Sequence, residues 1–152
     1  MLKFYEGTIS GVEVVVLFSG VCKVNAAIAT QILIDTYHVD RIINAGTAGA
    51  MNSELDLFDT VVCTEAVYHD VASEILTEFH PWLETVFFKA DHELLNMSKK
   101  AVEKIERNYK VFWGRMVTGE AFITDDGEKR LMNSLPLSLW IWKRQVLLMY
   151  VM

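Results

Sequence analysis

The sequence has 152 residues, 52% of them hydrophobic and 22% charged, which supplies apolar surface for one real core and so for one domain or most of one. Its 14 basic residues stand against 20 acidic ones, a net charge of -6, so no broad cationic field exists to draw phosphate backbones or anionic lipid, and neither nucleic acid nor a membrane surface is expected as a partner. Cys22 and Cys63 sit in apolar stretches without metal or redox spacing, and no apolar run has the length of a signal core or a membrane span, which together predict a cytoplasmic protein.

Residues 3 to 9 and the β-branched run of residues 12 to 18 read as two paired strands joined at Ser10-Gly11. From Lys23 to Tyr37, Val24, Ala27, Ile28, Ile32 and Leu33 recur at helical spacing with no proline or glycine between them, which predicts a helix. Residues 41 to 45 form a short buried strand, ended by the punctuation Gly46-Thr47-Ala48-Gly49. Residues 59 to 67 give another strand. Residues 68 to 91 mix acids, Pro81 and aromatics without a period and read as a long loop that packs on something. Residues 92 to 109 carry Leu94, Leu95, Met97, Ala101, Val102 and Ile105 among lysines and glutamates, the pattern of an amphipathic helix with one solvated face. A strand at 111 to 117, a turn at Thr118-Gly119 and the start of a helix at 125 to 131 follow. Strands alternating with helices predict α/β layering.

The last residues differ in character. From Trp140 to Met152 there is no acid and no glycine, yet two of the four tryptophans, and the pattern neither closes a helix nor opens an ordinary loop.

Three places could carry chemistry. In Asn44-Ala45-Gly46-Thr47-Ala48-Gly49-Ala50, a glycine-bearing loop after a buried strand lets backbone N–H groups approach a polar ligand, although a tight turn explains the same residues. It is neither a Walker loop nor a dinucleotide fingerprint. In Val117-Thr118-Gly119-Glu120-Ala121-Phe122-Ile123, an aromatic just past a strand end could stack on a flat ligand while neighbouring backbone reads a purine edge; Phe122 and Ile123 could equally fill a core. Tyr68-His69-Asp70 looks like an oriented histidine, but no nucleophile motif accompanies it and His38, His80 and His92 form no ligand spacing with it, so a structural or interface role is favoured.

Taken together, four segments resemble, in order and approximate spacing, the bacterial 5'-methylthioadenosine/S-adenosylhomocysteine nucleosidases. Ser19-Gly20-Val21-Cys22-Lys23-Val24-Asn25-Ala26-Ala27 is similar to the family's Ser-Gly-Ile-Gly-Lys-Val-x-Ala-Ala, with Cys22 in place of glycine. Ile43 to Ala50 is similar to Ile-Asn-Thr-Gly-Ser-Ala-Gly-Gly, Glu65 to Asp70 to Glu-Ala-x-Tyr-His-Asp, and Val117 to Ile123 to Val-Ser-Gly-Asp-x-Phe-Ile. The resemblance covers roughly residues 4 to 138.

It implies a three-layer α/β/α sandwich around a mixed central sheet, nucleoside phosphorylase-like and here incomplete. The implied reaction is hydrolysis of the N-glycosidic bond of a thioadenosine nucleoside, releasing adenine. An oxocarbenium-like transition state asks one carboxylate to activate water and an acid to neutralise the departing base. The family's Glu and Asp for these tasks, and its ribose-binding Met-Glu pair, have no counterpart in this sequence, which implies no catalytic residue and an inactive or impaired chain. Carried over by motif, Phe122 stacks on adenine, the Ile123 backbone bonds its edge, Thr47, Ala48 and Gly49 lie near the ribose and the attacking water, and Val21 lines the same pocket. No cofactor and no metal are implied; a homodimer is, with Leu76, Phe79 and Trp82 in the corresponding region. A purine nucleoside phosphorylase, which needs a cationic phosphate site, and a non-catalytic adenine-binding remnant are the alternatives.

The same resemblance divides the chain into a partial nucleosidase domain, residues 1 to 138, and an aberrant segment, 139 to 152, read as out of frame. Tryptophan has one codon, so Trp140-Ile141-Trp142-Lys143 fixes most of its DNA. Reading two bases later forces Asp from Trp140/Ile141 and Glu from Trp142/Lys143, with Met or Leu between them, which is compatible with the family's Val-Asp-Met-Glu.

Overall fold

A computed structural model describes residues 2–50, 52–80, 82–120, 139–140 and 146–151. They fall into two compact units, Met1–Ile42 and Ile43–Met152.

In the first unit, β1 (Phe4–Ile9) and β2 (Val12–Leu17) pair antiparallel from Phe4↔Leu17 to Ile9↔Val12. That register leaves Ser10 and Gly11 for the turn, with φ of 50° and 83°. Two successive left-handed residues make the tight hairpin turn whose twist matches that of the strands. Helix α1 (Lys23–Tyr37) buries Ala29 and Leu33, four residues apart on one face, and ends where His38 turns left-handed at φ 52°. Tyr37 stacks on Phe4 with ring centroids 5.2 Å apart, tying the helix end to the hairpin. At the helix N-cap, Cys22 has φ 76° and ψ 163°, a region that essentially only glycine enters and that costs other residues on the order of 1–3 kcal/mol. The glycine of the family's motif therefore has a physical reason, and Cys22 departs from it under strain.

The second unit is built on a mixed sheet: β3 (Ile43–Ala48), β4 (Thr60–Tyr68), β5 (Phe88–Lys89), β6 (Val111–Thr118), β7 (Leu139–Trp140) and β8 (Val146–Val151). The order is β3-β8-β4-β6-β7, with β5 against β4. β4, β6, β7 and β8 run parallel, while β3 is antiparallel to β8 and β5 to β4. This is the expected α/β class with a mixed central sheet. β4 is its centre: Val61, Val62, Cys63, Ala66 and Val67 are all buried, the near-continuous apolar run required of a strand paired on both edges. Helix α3 (His92–Glu103) is capped by Asp91, whose side chain accepts the Leu94 N–H at 2.8 Å. Glu93 in its first turn and Lys100 in its last complement the helix dipole. The Trp113 indole donates to Ser98 Oγ at 3.1 Å and so docks α3 on β6.

The start of β4 is fixed by Asp59, which is 3% exposed. Its Oδ1 accepts the Lys110 N–H at 2.8 Å and its Oδ2 the Asp56 N–H at 2.9 Å, while Thr60 N–H donates to the Lys110 carbonyl at 2.9 Å. One side chain thus sets both β4 and β6 at their first residues.

Several expectations are corrected. The stretch 68 to 91 is not a loop throughout, since it contains helix α2 (Ser73–Phe79) and strand β5. Two turns are too few to display a period, and the N-cap, Ala72, makes no side-chain cap bond that could have signalled a start. Helix α3 ends at Glu103 rather than near 109, because Arg107 folds back and gives its Nη1 to the Val102 carbonyl at 2.6 Å. β3 continues through Gly46, Thr47 and Ala48, residues read as punctuation, because each has a partner on β8. The helix expected at 125 to 131 lies outside the described residues. Residues 139–140 and 146–151 of the segment read as out of frame are strands. Among the described residues no helix is long and apolar enough to cross a membrane.

Candidate functional site

The parallel ladder of β4 and β6 closes at Tyr68↔Thr118, so both strands deliver their following residues to one end of the sheet. The His69 N–H extends the ladder by donating to the Thr118 carbonyl at 3.0 Å. One residue on, Asp70 Oδ2 accepts the Glu120 N–H at 2.7 Å. Between these bonds lies Gly119, over which the His69 ring is packed so closely that a Cβ built there would stand 2.6 Å from Cε1 and 2.7 Å from Cδ2. Only glycine fits. The Tyr68 ring meets Phe88 edge to face at 5.3 Å, joining β5 to the same end.

Deeper in the sheet β4 carries a bulge. Cys63 pairs with Gly114 and Glu65 with Arg115, so β4 spends one residue more than β6 between the same two positions. The extra residue, Thr64, gives its carbonyl to the Ala90 N–H at 2.9 Å. Because of that shift Cys63 and Ala66, three apart in sequence, share a face with Met116 in one buried cluster. Glu65 takes a charge-assisted bond from Arg115 Nε at 2.7 Å and a second from Nη2. The guanidinium lies 3.9 Å over the Phe87 ring, and Arg115 Nη1 is buried without a hydrogen-bond partner. Burial pushes the Cys63 thiol up to about 12, the carboxylate of Glu65 adding to the shift against two backbone hydrogen bonds. A thiol held so far from ionisation is no nucleophile. Among the described residues no group of three or more His, Cys, Asp or Glu could hold a metal.

The residues singled out from sequence are distributed as follows. Ala48 and Gly49 are buried and Thr47 is exposed. Through β8, Thr47 stands across Leu147 from Thr60, the first residue of β4, and Ala50 packs on Leu55 and Val61. Thr118 pairs with Tyr68, eight residues beyond Thr60 along β4, roughly 25 Å at the usual rise per residue. Strand pairing therefore brings Thr118, Gly119 and Glu120 to His69 and Asp70, but not to Thr47. Val21 belongs to the first unit, and Phe122 and Ile123 lie outside the described residues. Sequence reading missed the Glu65–Arg115 pair. Its signal was present as one acid and one base inside two otherwise apolar strand runs.

The family model of the phosphorylase superfamily matches residues 2–139, and the chain belongs to that superfamily. Its relatives there are nucleosidases, as the four motifs indicated. The 5'-methylthioadenosine/S-adenosylhomocysteine nucleosidase of Staphylococcus carnosus (strain TM300) is 37% identical over 138 residues, which cover 88% of this chain and 58% of the relative. Among solved structures, the nucleosidase of Colwellia psychrerythraea 34H in complex with adenine is 30% identical with a TM-score of 0.79, over 97% of this chain and 68% of that one. The nucleosidase of Neisseria meningitidis in complex with methylthio-immucillin-A is 27% identical with a TM-score of 0.80, over 97% of this chain and 71% of that one. The chain spans little more than half the length of the curated relatives it matches.

Proposed function

We propose that this chain is the adenine-reading part of a 5'-methylthioadenosine/S-adenosylhomocysteine nucleosidase, an N-glycosyl hydrolase that in complete form splits a thioadenosine nucleoside into adenine and the thioribose. The observation that carries the reading is the joint end of β4 and β6, where His69 and Asp70 hold Thr118 to Glu120. In the nucleosidase motif that segment leads directly to Phe122, assigned the stacking face for adenine, and to Ile123, whose backbone reads the purine edge. Thr47, Ala48, Gly49 and Val21 are assigned to the sugar side by motif. Because β3 runs antiparallel to β8, and β8 parallel to β4, Thr47 stands at the Thr60 end of the sheet, and a sugar-side role for Thr47, Ala48 and Gly49 beside Thr118 requires a different segment in the place of residues 146–151. The reading of 139 to 152 as out of frame supplies that requirement. A phosphorylase reading needs a free cation for phosphate, and the half-buried Arg115 is already neutralised by Glu65. The protein is assigned to the cytoplasm.

Titration calorimetry with adenine tests the reading. Weak binding is expected, and Phe122→Ala should weaken it about tenfold or more, since stacking on a base is worth roughly 1–3 kcal/mol. Undiminished affinity in that variant places the base elsewhere.

A homodimer belongs to the same proposal. Leu76 is buried on α2, whereas Phe79 and Trp82 are 69% and 74% exposed, and large apolar side chains so placed suit a second copy of the chain. Sedimentation should give a dimer for the folded chain; a folded monomer at micromolar concentration would count against it.

A further inference from the structure

We propose that His69 and Asp70 are positioning residues, a clamp that sets the direction in which the chain leaves β6 toward the adenine-stacking residue; this rests on the adenine-site reading above. A strand end is where ladder bonds stop, so the residues just past it are fixed only by what is added there. Here two additions act on consecutive residues. The Asp70 carboxylate accepts the Glu120 N–H at 2.7 Å, a charge-assisted bond stronger than an amide–carbonyl one. The His69 ring lies on Gly119 with no space for a Cβ between them, while the His69 backbone N–H donates to the Thr118 carbonyl. Three successive residues of the departing chain, Thr118, Gly119 and Glu120, are thereby fixed from β4. Phe122 follows two residues later. A stacking face serves a flat base only if it is held within about half an ångström of its working position. In this arrangement the histidine packs and does not transfer protons. Its ring is spent on closing the space over Gly119, and the aspartate that follows it accepts the Glu120 N–H just past β6.

The test uses the whole chain with five variants and two readouts, amide hydrogen exchange at Glu120 and adenine affinity. In Asp70→Ala the Glu120 amide should lose about tenfold of its protection, the scale of one lost charge-assisted bond, and adenine affinity should fall with it. Asp70→Asn keeps an acceptor oxygen and should recover most of both. Gly119→Ala should lower both readouts, and His69→Ala in the same chain should restore them in part by opening the space, whereas His69→Ala alone should leave Glu120 protected and weaken adenine binding. If Gly119→Ala does not fold, recovery of a folded chain in the double variant supports the same contact. Unchanged exchange at Glu120 in Asp70→Ala, or a Gly119→Ala chain that tolerates the methyl with His69 present, overturns the clamp. A wild-type chain that binds no adenine overturns the adenine-site reading instead, and the exchange and rescue measurements then decide the clamp by themselves.

Discussion

The 152-residue chain, purified and given methylthioadenosine, is expected to release no adenine above the uncatalysed background. Splitting an N-glycosidic bond needs activated water and a protonated leaving base, and general acid and base groups contribute roughly 10²–10⁴-fold each. The resemblance assigns those tasks to a Glu and an Asp that have no counterpart among the matched segments. Four titratable groups on β4 and just past its end have other work. Glu65 is paired with Arg115, Asp70 holds the Glu120 N–H, the His69 ring packs on Gly119, and the Cys63 thiol is held near 12. A version that supplies the family's Glu and Asp, with the DNA read two bases on from about Leu139, should turn over faster by several orders of magnitude. Detection of adenine by a coupled assay compares the two proteins directly. Robust release by the 152-residue chain would sink the inactivity claim; coding bases after Trp142 that do not continue the Glu-Thr/Ala-Ala reading in the shifted frame would sink the frame claim separately.

Asp59→Ala is expected to be the most damaging single change to the second unit, at about 3 kcal/mol. The substitution removes two hydrogen bonds to a buried carboxylate and leaves the Asp56 and Lys110 N–H groups without their acceptors, each orphan costing about 1–3 kcal/mol. Asp59→Asn should cost about half as much, since one carbonyl oxygen can serve one N–H while its amide faces the other. Urea unfolding reads the effect as a lowered midpoint at unchanged slope. A loss below about 1 kcal/mol would mean that water or relaxed backbone replaces the carboxylate, and that the joint start of β4 and β6 does not depend on it.

How much of this was legible in the sequence depended on where each signal is stored. Helix α1 and the first hairpin were legible because their causes are local: a helical run without glycine or proline, and Ser10-Gly11 at the turn. β3 was cut short because Gly46 and Thr47 look like loop until a partner strand is known to lie opposite them. α2 and β5 were illegible because elements of seven and two residues carry no period. At the site, the strings around Tyr68 and Gly119 were visible as motifs. What could not be seen was that the two strings meet. Residues 50 apart, Asp70 with Glu120 and Glu65 with Arg115, touch only because β4 and β6 run in register.

The bulge at Thr64 decides where this protein could change its length. β4 already carries one residue more than β6 between Cys63 and Glu65, so a descendant that lost Thr64 would forfeit the Ala90 bond and keep every later pairing. A descendant that lost any one residue from 66 to 69 would keep most of the motif's letters and slide Asp70 away from Glu120. To an alignment the two gaps weigh the same; to the sheet only the first is survivable.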